Sequence, residues 1–467
     1  MTHRFDPTIM REYDVRGVFG QSLGADDARA IGRTFGTLVM RDGGGAVVVG
    51  MDGRVSSPIL EHALVEGLVA SGADVLRIGM GPTPMLYFAA ITLPGVAGGI
   101  QVTGSHNPPT HNGFKLVRDG QPFFGAAIQA LGDQAAAGDW TSGTGAVRQV
   151  AVMDAYVDRL LKGLDGIDRE SLAGLAMAWD AGNGAAGPVL QRLVARLPGR
   201  HDVLFAQVDG TFPNHHPDPT VEENLADLRA AVARGGLDFG VAFDGDADRI
   251  GVVDGQGRVI WADQLLMLLA QDLLARHPGA LVLGDIKTGR ALFESVRALG
   301  GRAEMWKSGH SHMKARLRES GALLAGEMSG HVFLADDWYG FDDGIYAAIR
   351  LIAAAARLGR SVSDLRSAMP ETVATPELRF AVDEARKFAA MDEVKARLEA
   401  QGADMVAIDG VRVTTPDGWW LLRASHTQAA LVARAESETE AGLARLMQQV
   451  DAQLALSGLA RGPQAGH

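Results

Sequence analysis

Apolar and polar positions recur in a fixed order along most of the chain. The apolar run GAVVVGMDGR (residues 45–54) leads into a Gly/Asp turn, and GLAMAWDAGNG (174–184) and GALVLGDIKTGR (279–290) have the same shape. A helix-like stretch follows each, then a second apolar run: GADVLRIG (72–79), HDVLFAQVDG (201–210) and GRAEMWKSG (301–309). Each segment then reaches a third apolar run capped by a polar cluster: GGIQVTGSHN (98–107), LDFGVAFDGDADR (237–249) and ALLAGEMSGH (322–331). Self-similarity on this scale marks a repeated architecture. Strands alternating with helices predict parallel sheets covered by helices on both faces. Ligands of such sheets bind beyond the carboxyl ends of the strands, where all three polar clusters fall. The pattern thus predicts three similar mixed α/β domains around a central cleft, each supplying one loop.

The last segment breaks the pattern. After AMPETVATPELRF (368–380) come a charged helix, EARKFAAMDEVKARLEA (384–400), and strand-like runs around a hairpin, VRVTTPDGWWLLRAS (411–425). TPDG is a strong turn signal. A second amphipathic helix, ETEAGLARLMQQVDAQLAL (438–456), precedes a tail, SGLARGPQAGH, that reads as loose. This predicts a C-terminal α+β domain. We place the boundaries at 1–152, 153–257, 258–370 and 371–467, with a hinge in 360–376, where Ser, Pro and Thr interrupt the helix pattern.

Composition narrows the function. The chain has 467 residues, 47% hydrophobic and 21% charged, as in a soluble globular protein. Its lack of cysteine excludes disulfides, thiolate metal sites and cysteine nucleophiles. No apolar run is long enough to span a bilayer, and MTHRFDPTIMREYDVRG lacks an export signal's apolar core; we expect no membrane association and a cytoplasmic location. The net charge of −12 gives no general attraction for nucleic acid, and none is expected as a partner. An anionic substrate would need a locally basic pocket.

The chemistry concentrates in the polar clusters. TGSHNPP (103–109) puts Ser105 on a proline-stiffened loop at a strand end, as a displayed nucleophile would be. DGDADR places Asp244, Asp246 and Asp248 at alternate positions, where they can converge on a hard cation such as magnesium or calcium. A calcium-binding EF-hand loop fails on spacing, since Arg249 and Gly255 stand where it needs glycine and glutamate. GEMSGH offers Glu327, Ser329 and His331, donors and acceptors suited to a polyol. LRASHTQAAL offers Arg423, Ser425, His426 and Thr427, phosphate-binding chemistry. WKSGHSH supplies His310 and DIKTGR supplies Lys287. One motif points elsewhere: GNGAAG (182–187) matches a dinucleotide fingerprint and would predict an NAD-dependent dehydrogenase with Asp209 near the ribose. A tight strand-to-helix turn explains it as well. A serine hydrolase lacks its G-x-S-x-G elbow, as GHSHM misses the last glycine.

Taken together, REYDVRG, TGSHNPP, FDGDADR, GEMSGH and RASHT, in that order, resemble the α-D-phosphohexomutase family over nearly the whole chain. WKSGHS and GEMSGHVFLADDWYGFDDGIYAA are especially similar to its bacterial phosphomannomutase/phosphoglucomutase branch. The resemblance implies three related α/β domains and a smaller fourth around a deep cleft. It implies that Ser105 is a phosphoserine that exchanges its phosphoryl group with hexose phosphates through a hexose 1,6-bisphosphate. It further implies Mg²⁺ on Asp244, Asp246, Asp248 and the Ser105 phosphate. Glu327, Ser329 and His331 would then grip sugar hydroxyls, and Arg423, Ser425, His426 and Thr427 the non-reacting phosphate. Lys115, His310 and Arg16 become candidates for proton transfer or charge stabilisation, and Tyr13, Arg249 and Lys287 would line the cleft. A monomer or weak homo-oligomer is expected. The alternatives are a phosphoglucosamine mutase, the NAD-dependent dehydrogenase and a noncatalytic sugar-phosphate binding protein.

Overall fold

A computed structural model describes residues 2–425 and 429–462. Its first three sheets share one plan. In the first, strand Ala46–Met51 lies between Asp74–Met80 and Val96–Val102, all parallel. In the second, Ala176–Asp180 lies between Arg200–Leu204 and Phe239–Phe243. In the third, Leu281–Asp285 lies between Arg302–Trp306 and Leu324–Gly326. These are the apolar runs of the repeat, first run central and the other two flanking it.

Purely parallel sheets are not what forms. After each third strand the chain turns back, and His111–Arg118, Ile250–Asp254 and Val332–Leu334 pair antiparallel with it. The three polar clusters are the connections. A short connection can only reverse a strand, because a parallel return needs a crossover of a dozen or more residues. The sheets are therefore mixed, and each polar loop is pinned at both ends by neighbouring strands of one ladder.

The fourth domain is built as its pattern suggests. Helices Glu384–Ala400 and Glu440–Leu456 pack on a sheet that includes Val411–Thr415, Gly418–Ala424 and Ala430–Ser437. The tail is not loose where it is described, because Leu459 packs on this domain's core. The segment read as a hinge holds the short helix Val362–Ser367 and a strand, Val373–Ala374, that pairs with the last strand of the fourth domain.

One apolar core runs through the first three domains. It joins Leu86, Tyr87 and Phe88 to Tyr156 and Trp179, and these to Trp338, Ile345 and Tyr346. Helix Gly344–Leu358 is apolar on nearly every side over its first turns and lies buried in that core, as such a helix must. The fourth domain has its own core, sutured to the third by Ile286, Trp419 and Leu421. Arg412 crosses this seam: it donates to the Ile286 and Thr288 carbonyls at 2.7 and 2.6 Å and stacks 3.6 Å from the Trp419 ring centroid. Among the described residues no helix is long and apolar enough to cross a membrane.

Candidate active site

Ser105 lies at φ +50°, in the left-handed region that a side chain normally avoids. It is 1% exposed, so the loop does not display it to open water. It faces the second domain instead: its Oγ donates to Asp244 Oδ2 at 2.7 Å and lies 3.1 Å from His106 Nδ1. The metal loop presses on it, since a Cβ on Gly245 would come within 2.5 Å of the Ser105 carbonyl oxygen. That loop carries strain of its own, with Ala247 at φ +57°.

Asp244, Asp246 and Asp248 are fully buried, and one ligand oxygen from each lies within 4.8 Å of the others. Burial, with repulsion from its two neighbours, pushes Asp244 well above the usual carboxylate range. Asp246 is held below that range: burial opposes, but the Lys115 charge and hydrogen bonds from Lys115 and Thr83 outweigh it. Lys115 Nζ donates to Asp246 Oδ2 at 2.8 Å and also to Asp248 Oδ2. The opposite oxygens, Oδ1 of Asp246 and of Asp248, are buried without a hydrogen-bond partner. Such orphaned oxygens, beside a seryl hydroxyl, are the donor set a divalent cation requires, so the residues fit Mg²⁺.

Burial lowers the Lys115 pKa, but the three carboxylates outweigh burial and hold it above the ordinary lysine value, so Lys115 stands as a charge beside them. Arg16 is also a charge: it donates to Asn107 Oδ1 at 2.8 Å on the serine loop and pairs with Asp14 at 2.5 Å. Burial and then the Lys314 charge push His310 well below its ordinary value, which keeps its ring neutral. Its ring stacks on His331 with centroids 5.4 Å apart.

His331 accepts from Arg249 Nε at Nε2, 3.1 Å, and its Nδ1 lies 3.1 Å from Asp342 and 3.5 Å from Asp248. Arg249 and His331 also form a β-bridge, which joins the polar loop of the second domain to that of the third. Glu327 accepts from the Gly309 N–H, and burial raises it above the ordinary glutamate range. Ser329 sits half-buried on the same loop. Tyr13 reaches across from the first domain and donates to the Ser308 carbonyl at 3.0 Å.

From the fourth domain, Arg423 approaches with its charge already paired, at 2.9 Å from Asp409. Asp409 accepts in turn from the Ser308 N–H at 3.2 Å. The Ser425 carbonyl accepts from Lys387 at 2.8 Å. His426 and Thr427 lie outside the described residues. Lys287 is paired as well, with Glu377 at 3.0 Å.

The GNGAAG turn serves packing. A Cβ on Gly184 would lie 2.8 Å from the Gly245 carbonyl, and Ala185 N donates to that carbonyl at 2.9 Å. Its glycines let the turn lie against the metal loop, and Asp209 caps its own turn through Thr211.

Sequence reasoning missed the supports of the site. Asp52, Asp180 and Asp285 stand at the same place in the three repeats, at the end of the central strand, and all are buried. Asp52 accepts from Thr103 Oγ1 and Gly104 N, and Asp285 from Ser308 Oγ and Met328 N. The runs VGMDG, AWDAG and LGDIK carry this signal in register. Arg54, Asp342 and Lys314 were also missed; Lys314 donates to Asp342 Oδ1 at 2.8 Å behind His310.

Known proteins share this arrangement. Families described as phosphoglucomutase/phosphomannomutase match throughout: alpha/beta/alpha domain I over residues 7–142, domain II over 154–257, domain III over 261–373 and the C-terminal domain over 377–453. A phosphomannomutase/phosphoglucomutase of Pseudomonas aeruginosa is 44% identical over 442 residues, covering 94% of each chain. A phosphoglucomutase of Neisseria gonorrhoeae is 42% identical over 451 residues, 95% of this chain and 96% of its own. The crystal structure of a phosphoglucomutase/phosphomannomutase family protein from Burkholderia thailandensis superimposes with a TM-score of 0.91 at 44% identity, covering 98% of this chain and 99% of that one.

Proposed function

Because the chain belongs to the phosphoglucomutase/phosphomannomutase family, we propose a division of labour among its cleft residues. The protein acts as an isomerase that moves a phosphoryl group between carbons 1 and 6 of glucose and mannose phosphates. Ser105 Oγ carries the exchanging group. The free hydroxyl of a hexose monophosphate attacks the phosphorus; a sugar O–P bond forms as the bond from phosphorus to Ser105 Oγ breaks. The proton of that hydroxyl passes to the His310 imidazole, and the departing seryl oxygen takes one from solvent; the return half-reaction moves both protons back. Burial, followed by the Arg249 and Arg16 charges, holds His106 well below its ordinary pKa, so it stands as a neutral base for the seryl proton when Ser105 attacks in that return. The bisphosphate then turns in the cleft and returns its other phosphoryl group to Ser105, so no atom is gained or lost over the cycle.

Phosphoryl transfer is mostly positioning and charge neutralisation. Asp244, Asp246 and Asp248, with the phosphate on Ser105, would hold Mg²⁺, which when bound supplies positive charge to the transferring oxygens. Arg16, Lys115 and Arg249 supply the protein's own. Glu327, Ser329 and His331 orient the sugar, while Lys287 and Arg423, with Ser425, hold the distal phosphate. The same proposal includes hexose 1,6-bisphosphate as activator, a cytoplasmic location, where ionic sugar phosphates are retained, and a monomer or weak homo-oligomer.

The 2.7 Å bond from Ser105 Oγ to Asp244 carries the proposal, because it brings the nucleophile loop and the metal loop to one atom. Intact-mass spectrometry after incubation with glucose 1,6-bisphosphate should show one added phosphoryl group, absent in Ser105→Ala. Coupled assays should show turnover of glucose 1-phosphate and mannose 1-phosphate that Ser105→Ala abolishes. Wild-type-like turnover by Ser105→Ala would refute the assignment.

A further inference from the structure

We propose that Arg54 is a positioning residue for phosphoryl transfer, holding the backbone from Ser105 to His111 so that Ser105 Oγ keeps its line to Asp244 in both halves of the cycle. The proposal rests on Ser105 being the phosphoryl carrier.

Arg54 follows the central strand of the first sheet and is 1% exposed. Every N–H of its guanidinium is used. Nε donates to Asp52 at 3.2 Å. Nη1 donates to the carbonyls of Pro108 and His111 at 2.6 and 3.0 Å. Nη2 donates to those of Ser105 and Asn107, both at 2.6 Å. Four carbonyls of the serine loop thus converge on one cation. Ser105, Asn107 and Pro108 lie between two strands, where no ladder takes up their carbonyls, and this side chain does so instead.

The contact is close enough to dictate sequence. A Cβ on Gly104 would lie 2.4 Å from Arg54 Cζ, so the guanidinium packs flat against the backbone just before Ser105. The Ser105 carbonyl is then held on one side by Arg54 and on the other by Gly245 of the metal loop. A return of Ser105 to an ordinary φ would rotate the peptide groups flanking it and break this hold. Asp52 extends the clamp upstream: it pairs with Arg54 while accepting from Thr103 Oγ1 at 2.8 Å and Gly104 N at 3.1 Å. The Phe212 ring, from the second domain, covers the guanidinium at 5.2 Å. None of Arg54's hydrogen bonds reaches Ser105 Oγ; its effect runs through the main chain. The planar fork matters because lysine offers three donors in a different geometry.

Arg54→Lys and Arg54→Ala test this. Per folded molecule, kcat should fall roughly 100-fold, the loss associated with a displacement of about 1 Å at a reacting group. KM should stay near the wild-type value, because the sugar- and phosphate-holding loops are untouched. Uptake of phosphoryl from glucose 1,6-bisphosphate by Ser105, timed by intact mass, should slow in parallel. Guanidinium ion should restore Arg54→Ala in a saturable manner, and methylammonium should not. A merely structural role would lower thermal stability and the folded fraction without changing kcat per folded molecule, and that result would overturn the proposal. So would wild-type kcat and uptake in Arg54→Lys, or equal rescue by methylammonium. If Arg54→Ala does not fold, Arg54→Lys decides alone. Failure of the wild type to take up a phosphoryl group would overturn the assignment of Ser105, and this proposal with it.

Discussion

Replacing Lys115 by methionine removes the one ammonium that bridges Asp246 and Asp248 while keeping the length of its apolar stem. Lys115 is 3% exposed and both carboxylates are fully buried. Breaking a buried pair on one side costs about 3–5 kcal/mol, because the remaining charge stays buried without compensation. The first three domains share a core and should unfold together. For a unit of roughly 370 residues, at about 2.1 cal/mol/K per residue, the unfolding entropy is about 0.8 kcal/mol/K, and Tm should fall by about 4–6 °C. The carboxylates left behind should also bind a divalent cation more tightly, because the ammonium on their opposite oxygens no longer offsets their charge. Differential scanning calorimetry across a Mg²⁺ titration tests both parts. The variant should start lower and gain more per decade of Mg²⁺ than the wild type. An unchanged Tm, or equal Mg²⁺ increments in the two proteins, would refute the reasoning that the Lys115 charge opposes a cation at the aspartate cluster.

Other outcomes follow from the same geometry. If Glu327 reads the sugar's 3- and 4-hydroxyls, Glu327→Ala should lower kcat/KM about 10–100-fold for glucose 1-phosphate and mannose 1-phosphate alike, since these sugars differ only at carbon 2; loss of one substrate alone would place the contact at carbon 2. Arg423→Ala should raise KM about 10–100-fold and release bisphosphate prematurely, seen as free bisphosphate in a phosphorus NMR time course; normal KM with no leak would make Arg423 only a partner of Asp409. Burial pushes Asp343 up to about 7, although the Tyr346 N–H and the Tyr156 hydroxyl donate to it. An acid raised on folding favours the protonated native state, so its contribution is complete below about pH 4 and is lost as pH rises toward 7. Asp343→Asn should therefore flatten the stability profile across that window in calorimetry; an unchanged slope would show that Asp343 titrates normally.

Local pattern made the strands and their polar loops legible, because alternating elements and Gly/Asp turns are written in adjacent residues. The return of each fourth strand was not inferred, although a connection such as DGDADR is too short for a crossover. The cleft's cations show the harder limit. Lys287 read from sequence as lining the cleft and Arg423 as a phosphate grip, and the fold gives them Glu377 and Asp409. Lys115 read as a candidate for proton transfer or charge stabilisation, and two aspartates of another domain pair with it. Such pairs form between residues that no spacing rule connects. Arg54 was invisible for the same reason: the carbonyls it gathers belong to a loop from Ser105 to His111, and a lone arginine after a turn carries no mark of them. The repeated Asp52, Asp180 and Asp285 were readable in principle, by superposing the three segments.

The core shared by the first three domains constrains how the molecule is made. Helix Thr83–Thr92 turns Leu86, Tyr87 and Phe88 toward residues that include Tyr156 and Phe341, with ring centroids 5.6 Å apart for Phe88 and Tyr156 and 5.5 Å for Tyr87 and Phe341. A ribosome finishes the first domain roughly 190 residues before it reaches Phe341, a delay of about 10–40 s at about 5–20 residues per second. Tyr156 follows within a few residues, but for that interval the Tyr87 side of a nascent α/β layer lacks its Phe341 partner. A chain truncated after the first domain would keep that side uncovered permanently and should self-associate, so the first domain is the piece most in need of a chaperone and least suited to expression alone.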